Sequence, residues 1–567
     1  SMSVIFKPSG SLDTSSAATD LPEQAIGNTG VSEALARSKN LNNDRIGFVE
    51  TRAGSKVIGN SAINEVPNFI SVQAGARYAF CSTSIFKDES SIASSLASGN
   101  DQYSVIQYNQ FNDTSEMMYA VNGAVRKRID GTSVFEWGIE PPTDAATLGV
   151  GTGSGLTGSY KVKYTYVRKV GTTIVSESNP SPESSAQAMS DQALRVTFTA
   201  SSDAQVTHVR VYRTLANGEF HFVDQDVAIG STTVDTTTSD INLGTLVATN
   251  HDRPPSGADI TVGPLFGGFV FVAKDNLLHF SLAKQPEYFP AENFLEIAEP
   301  QDPITAMTIH EGQLFIATAR KLFVLQGTVS TSFAAVPIEV KTGTPNLLSL
   351  VGVVGTGLFH LGPDGIYLLS GGVDRKITQT NFEPLFSERV DEKVDEFNGM
   401  KVVKDNAKRF FFIFQNKFYF HYVDGAMLIF NTDQQKWTYY EYDQQLTAPA
   451  FDDTNKRFLV GTADKNIRQI EDVTSSDDAG NSISFEVQSK DFTLQTRRHF
   501  PRWIKYDVEL TNNLTATVKL DGVNHQNHTL SQDRRTKRRL VKTGNGRRLA
   551  INISGTGTAS IFAVEAQ

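Results

Sequence analysis

Between Gly263 and Glu471 the chain restarts one phrase again and again: a short run of β-formers, a tight turn, and a second run of β-formers. Segments 265–282, 312–325, 357–372 and 409–422 all have this form, the last reading Arg409-Phe-Phe-Phe-Ile-Phe-Gln-Asn-Lys-Phe-Tyr-Phe-His-Tyr422. A lone hairpin of this length cannot bury its apolar side chains, so the phrases must stack on one another. Recurrence about every 40 to 60 residues is the spacing of propeller blades. The expected fold class is therefore all-β: a β-propeller of about six blades, each phrase supplying a blade's inner strands. Such a scaffold leaves function open.

Composition agrees with this reading. Of 567 residues, 36 are Phe and 16 Tyr against 3 Trp and 7 Met, and flat rings pack well on pleated surfaces. A formal charge of −10 argues against general affinity for nucleic acid but leaves room for a local basic face. The one cysteine, Cys81, lies in the apolar-flanked Tyr-Ala-Phe-Cys-Ser; it reads as a buried inert thiol, and no internal disulfide framework is possible. No apolar run approaches the ~20 residues needed to span a bilayer, and the N-terminus has no charged-then-apolar signal pattern. Synthesis in a cytoplasm is the expectation.

The chain divides into five stretches. Residues 1–42, rich in Ser, Thr, Ala, Asn and Gly, read as an extended N-terminal arm with one helical turn at Ser32–Arg37, disordered or ordered only against a neighbouring subunit. Residues 43–142 read as the first blades, with a two-residue hairpin at Asn122-Gly123. Residues 143–250 open on a Gly/Thr/Ser-rich stretch that reads as a linker to Gly158. Alternating strands at Tyr160–Val167, Ala193–Thr199, His208–Arg213 and Phe220–Val223 then predict an inserted fibronectin III-like sandwich. Residues 251–472 hold the remaining blades, and 473–567 a C-terminal β domain beginning in a Ser/Asp/Gly linker. One helix is expected at Phe386–Phe397, where Val390, Val394 and Phe397 fall at helical spacing.

Chemistry is sparse. The ten histidines stand singly, mostly inside strand phrases (His279, His360, His421), with no zinc-type pattern. Gly149-Val-Gly-Thr-Gly-Ser-Gly lacks the Gly-Lys-Ser/Thr ending that a phosphate loop needs. Asp302, Asp364 and Asp374 are candidate glycosidase carboxylates, but turn positions favour Asp for capping alone. Asn431-Thr-Asp-Gln-Gln-Lys-Trp437 approaches the sialidase Asp box without its glycine. Neither a catalytic residue, a cofactor nor a metal is expected. The sharpest charge feature is Arg534, Arg535, Lys537, Arg538, Arg539, Lys542, Arg547 and Arg548, with Arg497, Arg498, Arg502 and Lys505 upstream. It reads either as the solvated basic face of a twisted hairpin or as a contact for an acidic protein or a phosphate backbone. Few aromatics interleave with these charges, so base stacking is not expected.

Several phrases resemble one family. Arg45-Ile-Gly-Phe-Val-Glu-Thr-Arg-Ala-Gly-Ser55 resembles the opening phrase of short-tailed bacteriophage tail nozzle proteins, also called tail hub or packaged-DNA stabilisation proteins, with Ala53 where proline is usual. Gly158-Ser-Tyr160, Tyr164-Thr-Tyr-Val167 and Glu177-Ser-Asn-Pro-Ser-Pro182 are similar to the sandwich inserted in many of them. His208–Arg213, Phe271, Phe280-Ser-Leu-Ala283 and Pro286-Glu-Tyr-Phe-Pro290 fit as well. The resemblance covers most of 43–520; the arm and the basic set have no counterpart. It implies a non-enzymatic virion protein forming a homo-oligomeric ring, of six copies, at the end of a short tail. Its implied partners are the head-tail adaptor ring, tail fibres or spikes, and double-stranded DNA passing without sequence-specific contact. Two other classes stay open: a receptor- or carbohydrate-binding propeller adhesin, with exposed aromatics in a blade pocket, and a propeller glycosidase, with two facing carboxylates.

Overall fold

The computed structural model describes residues 3–14, 16–26, 29–109, 116–379, 381–386, 395–404, 409–493, 501–531, 536–540 and 546–567. Its regular structure is nearly all strand, and it divides into two compact units, Ser1–Ser91 with Glu339–Gln567 and Ile92–Ile338. Both are built mainly from four-stranded antiparallel meanders of the propeller-blade type. In the first unit these occupy 69–93, 350–376, 410–441 and 446–472, the last completed by Gly54–Ile58. Their first strands lie side by side in the order Phe69–Gln73, Leu446–Asp452, Phe410–Phe414, Leu350–Val353. In the second unit blades occupy 104–136, 260–296 and 304–338, with first strands Ser104–Asn109, Ile260–Leu265 and Ile304–His310 likewise adjacent. Seven blades are thus present among the described residues, against the expected six or so. The blade at 446–472 presents only three strands in sequence; its fourth arrives from the other end of the chain, antiparallel, with Ile467 opposite Ile58.

Blade strands are apolar on both faces because each blade is covered by its neighbours. Phe411 meets Phe418 across its own sheet at 4.7 Å, while Phe412 stacks on Phe458 of the next blade at 4.3 Å. Each such ring contributes roughly 1.5–3 kcal/mol of burial. The Asn122-Gly123 turn is wider than expected. Val121 pairs with Arg126, so four residues form the loop, and Asn122 Oδ1 accepts hydrogen bonds from the Ala124 and Val125 amides.

The N-terminal 42 residues are not a free arm. Ser3–Phe6 pairs antiparallel with Ala559–Ala566 and parallel with Thr29–Ser32, and Leu35–Lys39 pairs with Ser484–Ser489. The expected helical turn at Ser32–Arg37 is accordingly the approach to a strand. Val4, Phe6, Leu12, Leu35 and Leu41 are buried in one core with residues of the C-terminal domain. That domain is two facing sheets into which both ends of the chain are woven. Most of the helix expected at Phe386–Phe397, residues 387–394, lies outside the described residues; Glu383–Phe386 is a helical turn, and Glu396–Phe397 is extended against Met400–Lys401.

The inserted sandwich packs Tyr164, Val196, Val209 and Val211 between its sheets. The supposed linker supplies two of its strands, Thr147–Val150 and Leu156–Tyr160. Ser178, Ser181 and Ser184 form a ladder beside Val162–Val170. Each serine amide donates to the carbonyl, and each hydroxyl accepts from the amide, of Tyr166, Tyr164 and Val162 respectively. This satisfies a strand edge through a proline-containing segment that cannot form an ordinary ladder.

Candidate functional site

The basic set does not form one hairpin. Thr536–Arg539 pairs with Trp503–Leu510, whereas Arg548 begins a strand, Arg548–Thr556, in the facing sheet. Arg534, Arg535 and Lys542, with Arg497 and Arg498 upstream, lie outside the described residues. Strand alternation then separates the rest. Lys537 stands opposite Lys505 and Arg539 opposite Trp503, and these four share the outer face. Lys537 and Arg539 are exposed, Trp503 is 38% exposed, and Lys537 Nζ lies 4.5 Å from the Trp503 ring centre. Lys505 is half-exposed and pairs with Glu565 at 3.5 Å.

Arg538, between them, turns to the inner face beside Ile504, and its Nη2 donates to the Thr529 carbonyl at 3.0 Å. Beneath it the Tyr506 hydroxyl bonds His528 Nδ1 at 2.9 Å. Burial lowers the His528 pKa, which favours the neutral imidazole. Arg548 is neutralised by Asp491 at 3.6 Å and Asp521 at 3.7 Å, and the Arg547 and Arg548 amides both donate to Asp521. Among the described residues the candidate site is Lys505, Lys537 and Arg539 around Trp503. Trp503 is the residue that charge counting missed, although the alternation Arg502-Trp503-Ile504-Lys505 places it on the charged face.

The strand Thr536–Arg539 is a sheet edge. Its Arg539 carbonyl accepts from Gln526 Nε2 at 3.2 Å, and lysine and arginine along an edge oppose further strand pairing. The surface thus offers side chains, not backbone, to a partner.

The three candidate carboxylates are all engaged by neighbouring side chains. Asp302 accepts from Thr318 at 2.9 Å, Asp364 from Tyr367 and Lys376, and Asp374 from the buried His360 at 2.8 Å. In the Asp-box-like segment, Asn431 caps the Asp433 and Gln434 amides as an ordinary turn. Among the described residues no group of His, Cys, Asp and Glu is arranged to hold a metal, and Cys81 is buried.

Asp259 behaves differently. Its Oδ1 is buried with no hydrogen-bond partner among the described residues. Desolvation pushes its pKa up to about 6, with the Asp275 charge adding to the rise. A carboxyl whose folded pKa is raised binds its proton more tightly folded than unfolded, so its penalty grows as pH rises from about 4 to about 6. Asp259→Asn is expected to stabilise the protein by up to about 3 kcal/mol at neutral pH and by little near pH 4. Urea unfolding at both pH values checks this; an equal effect at both would refute it.

No protein family and no curated protein matches the chain. Solved structures similar to it include the computationally designed Ika8 protein, at TM-score 0.35 and 10% identity over 74% of this chain and 99% of that one. BamB from Moraxella catarrhalis gives TM-score 0.34 and 10% identity over 74% and 97%. The C-terminal WD40 domain of Sif2 gives 0.32 and 8% over 73% and 98%. The fold assignment rests on the blade topology itself.

Proposed function

We propose that the chain is a non-enzymatic virion protein that forms the nozzle or hub ring of a short phage tail. In this reading it retains packaged DNA, frames the exit channel and docks adaptor and tail fibres or spikes. The observation that carries it is what the nozzle-like phrases do. In the phrase at 45–55, Arg52 is fully buried, and all five of its N–H donors are used. Nε donates to Asn40 Oδ1, Nη1 to the Ala53 carbonyl and Asp478 Oδ1, and Nη2 to the Glu441 carbonyl and Asp478 Oδ2. Its guanidinium lies 3.9 Å from the centre of the Tyr442 ring. Gly54 is required there, since a Cβ would meet the Asp477 carbonyl oxygen at 2.1 Å, and Ser55 Oγ donates to Asp478. Thr51 completes the joint by accepting from the Ala559 amide.

The phrase at 286–290 does the same in the other unit. Glu287 is buried between Arg128 at 3.3 Å and Arg168 at 3.2 Å, and the Pro286 carbonyl accepts from Trp137 Nε1. The residues that carry the resemblance therefore brace domains, as a mechanical part requires. The reading is tested by antibody labelling of purified virions of the phage that encodes the chain. Label at the distal tail supports it; virions lacking the protein by mass spectrometry overturn it.

A further inference from the structure

Three residues from distant parts of the chain meet beside the blade at 410–441, and nothing above uses them. Lys417 opens the strand Lys417–Val423, Asp44 follows the short strand Leu41–Asn42, and Glu471 stands near the end of Ile467–Asp472. Lys417 Nζ lies 2.5 Å from Asp44 Oδ2 and 3.8 Å from Glu471 Oε2. The side chains of Lys417 and Glu471 are each only 11% exposed. Asp44 is oriented by further contacts: its Oδ1 accepts from Asn431 Nδ2 at 3.0 Å, and its backbone carbonyl accepts from Gln434 Nε2 at 2.7 Å. Lys417 stands directly opposite Asn431 in the sheet, so one strand pair holds both the amine and the carboxylate.

Glu471 is the informative member. One carboxylate suffices to neutralise an ammonium, yet a second is brought to Lys417 by unusual backbone. Glu471 has φ 55°, a left-handed conformation that is uncommon for a residue with a Cβ, and it lies in a register shift between Gln469 and Asp472 against Gly54–Ile58. Bulges re-aim single side chains, and left-handed residues other than glycine cluster where a side chain has a task. The re-aimed carboxylate is then fixed by two buried tyrosines: the Tyr419 hydroxyl donates to Oε2 at 3.1 Å and the Tyr442 hydroxyl to Oε1 at 3.4 Å. A lysine nucleophile, a carboxyl electrophile and a second carboxylate able to carry a proton between them are the groups that amide formation needs.

We propose that Lys417 and Asp44 condense to an intramolecular isopeptide bond, with Glu471 as the proton carrier. The Lys417 ammonium gives one proton to Glu471, and the free amine attacks Asp44 Cγ. The Nζ–Cγ bond forms and the Cγ–Oδ2 bond breaks. Oδ2 leaves as water, taking the proton returned by Glu471 and a second proton from Nζ, while the Asn431 amide polarises the retained Oδ1. Ammonium and carboxylate thus become a neutral amide and one water, with no oxidant or co-reactant. Groups held in contact react at effective molarities of about 10⁵–10⁸ M, which lets so unreactive a pair condense. The bond would tie the N-terminal segment covalently to the blade at 410–441, and the inference is independent of the virion reading.

Intact-mass spectrometry of the full-length chain, purified and unfolded in acid, reads the bond without any variant. The expected mass is the sequence mass less one water, and a tryptic digest should hold one branched peptide joining the fragments that contain Asp44 and Lys417. Both signals should vanish in Lys417→Met. Glu471→Gln keeps the shape of the side chain but not its proton transfer, and should leave no more than about a tenth of the chains linked. A chain at its full sequence mass overturns the proposal and leaves the three residues an ordinary ion-pair cluster. A missing water without the branched peptide, as an aspartyl succinimide would give, overturns it, and so does linkage undiminished in Glu471→Gln.

Discussion

Arg52→Ala is expected to destabilise the unit formed by 1–91 and 339–567 by about 3–5 kcal/mol, the loss typical of breaking a buried ion pair from one side. The side chain contributes more than its pairing with Asp478. Its donors satisfy Asn40, which itself donates to the Ser484 carbonyl and accepts from the Glu441 amide. Removing the guanidinium strands the Asp478 carboxylate, whose residue is only 3% exposed, and leaves backbone carbonyls of Ala53 and Glu441 without this donor. Arg52→Lys should rescue little, because an ammonium has three donors and no planar fork to match the carboxylate. The double variant Arg52→Met, Asp478→Leu should recover part of the loss, since it removes both buried charges. Hydrogen exchange read by mass spectrometry localises the effect: protection should fall around 40–58 and 472–489. A change below about 1 kcal/mol, within the range of a surface pair, would show that the joint does not carry load.

The blades were legible because phenylalanine-rich strands interrupted by tight turns have few other ways to bury their rings, and local pairing makes each hairpin a sequence-local object. What was not legible is whatever depends on partners hundreds of residues away. Gly54–Ile58 carries no mark that it will finish a blade begun at Leu446. Val4 and Phe6 look too sparse for a strand until Val564 and Ala566 stand opposite them. Charge is the most misleading signal. Arg52, Arg128 and Glu287 resemble surface residues in sequence yet are among the most buried side chains. The basic segment that looked like one surface is divided by strand alternation and by two separate sheets. Its density was legible; the inward turn of Arg538 and the exposure of Trp503 required the register of Trp503–Leu510 against Thr536–Arg539.

Glu287→Gln tests the same logic in the unit formed by 92–338, with an expected loss of about 3–5 kcal/mol. The substitution keeps volume and shape, so only charge is removed. Two guanidiniums depend on that charge. Arg168 Nη2 donates to Glu287 Oε2 at 3.2 Å, while Arg128 Nε faces Oε1 at 3.3 Å as an ion pair without hydrogen-bond alignment. Arg128 would retain Gln205 Oε1 at 3.2 Å and the Phe135 ring at 4.6 Å, both neutral, and only a distant contact to the half-exposed Asp130 at 3.9 Å. Neutral partners orient a buried cation but do not offset its desolvation. Arg128 belongs to a blade and Arg168 to the inserted sandwich, so the loss should appear as exposure at 126–137 and 162–170 together. Arg168→Met in the Glu287→Gln background should restore part of the stability by removing one of the two buried cations. If Glu287→Gln instead melts like the parent, the carboxylate is not the counter-ion that holds sandwich and blade together, and the bracing attributed to the 286–290 phrase fails with it.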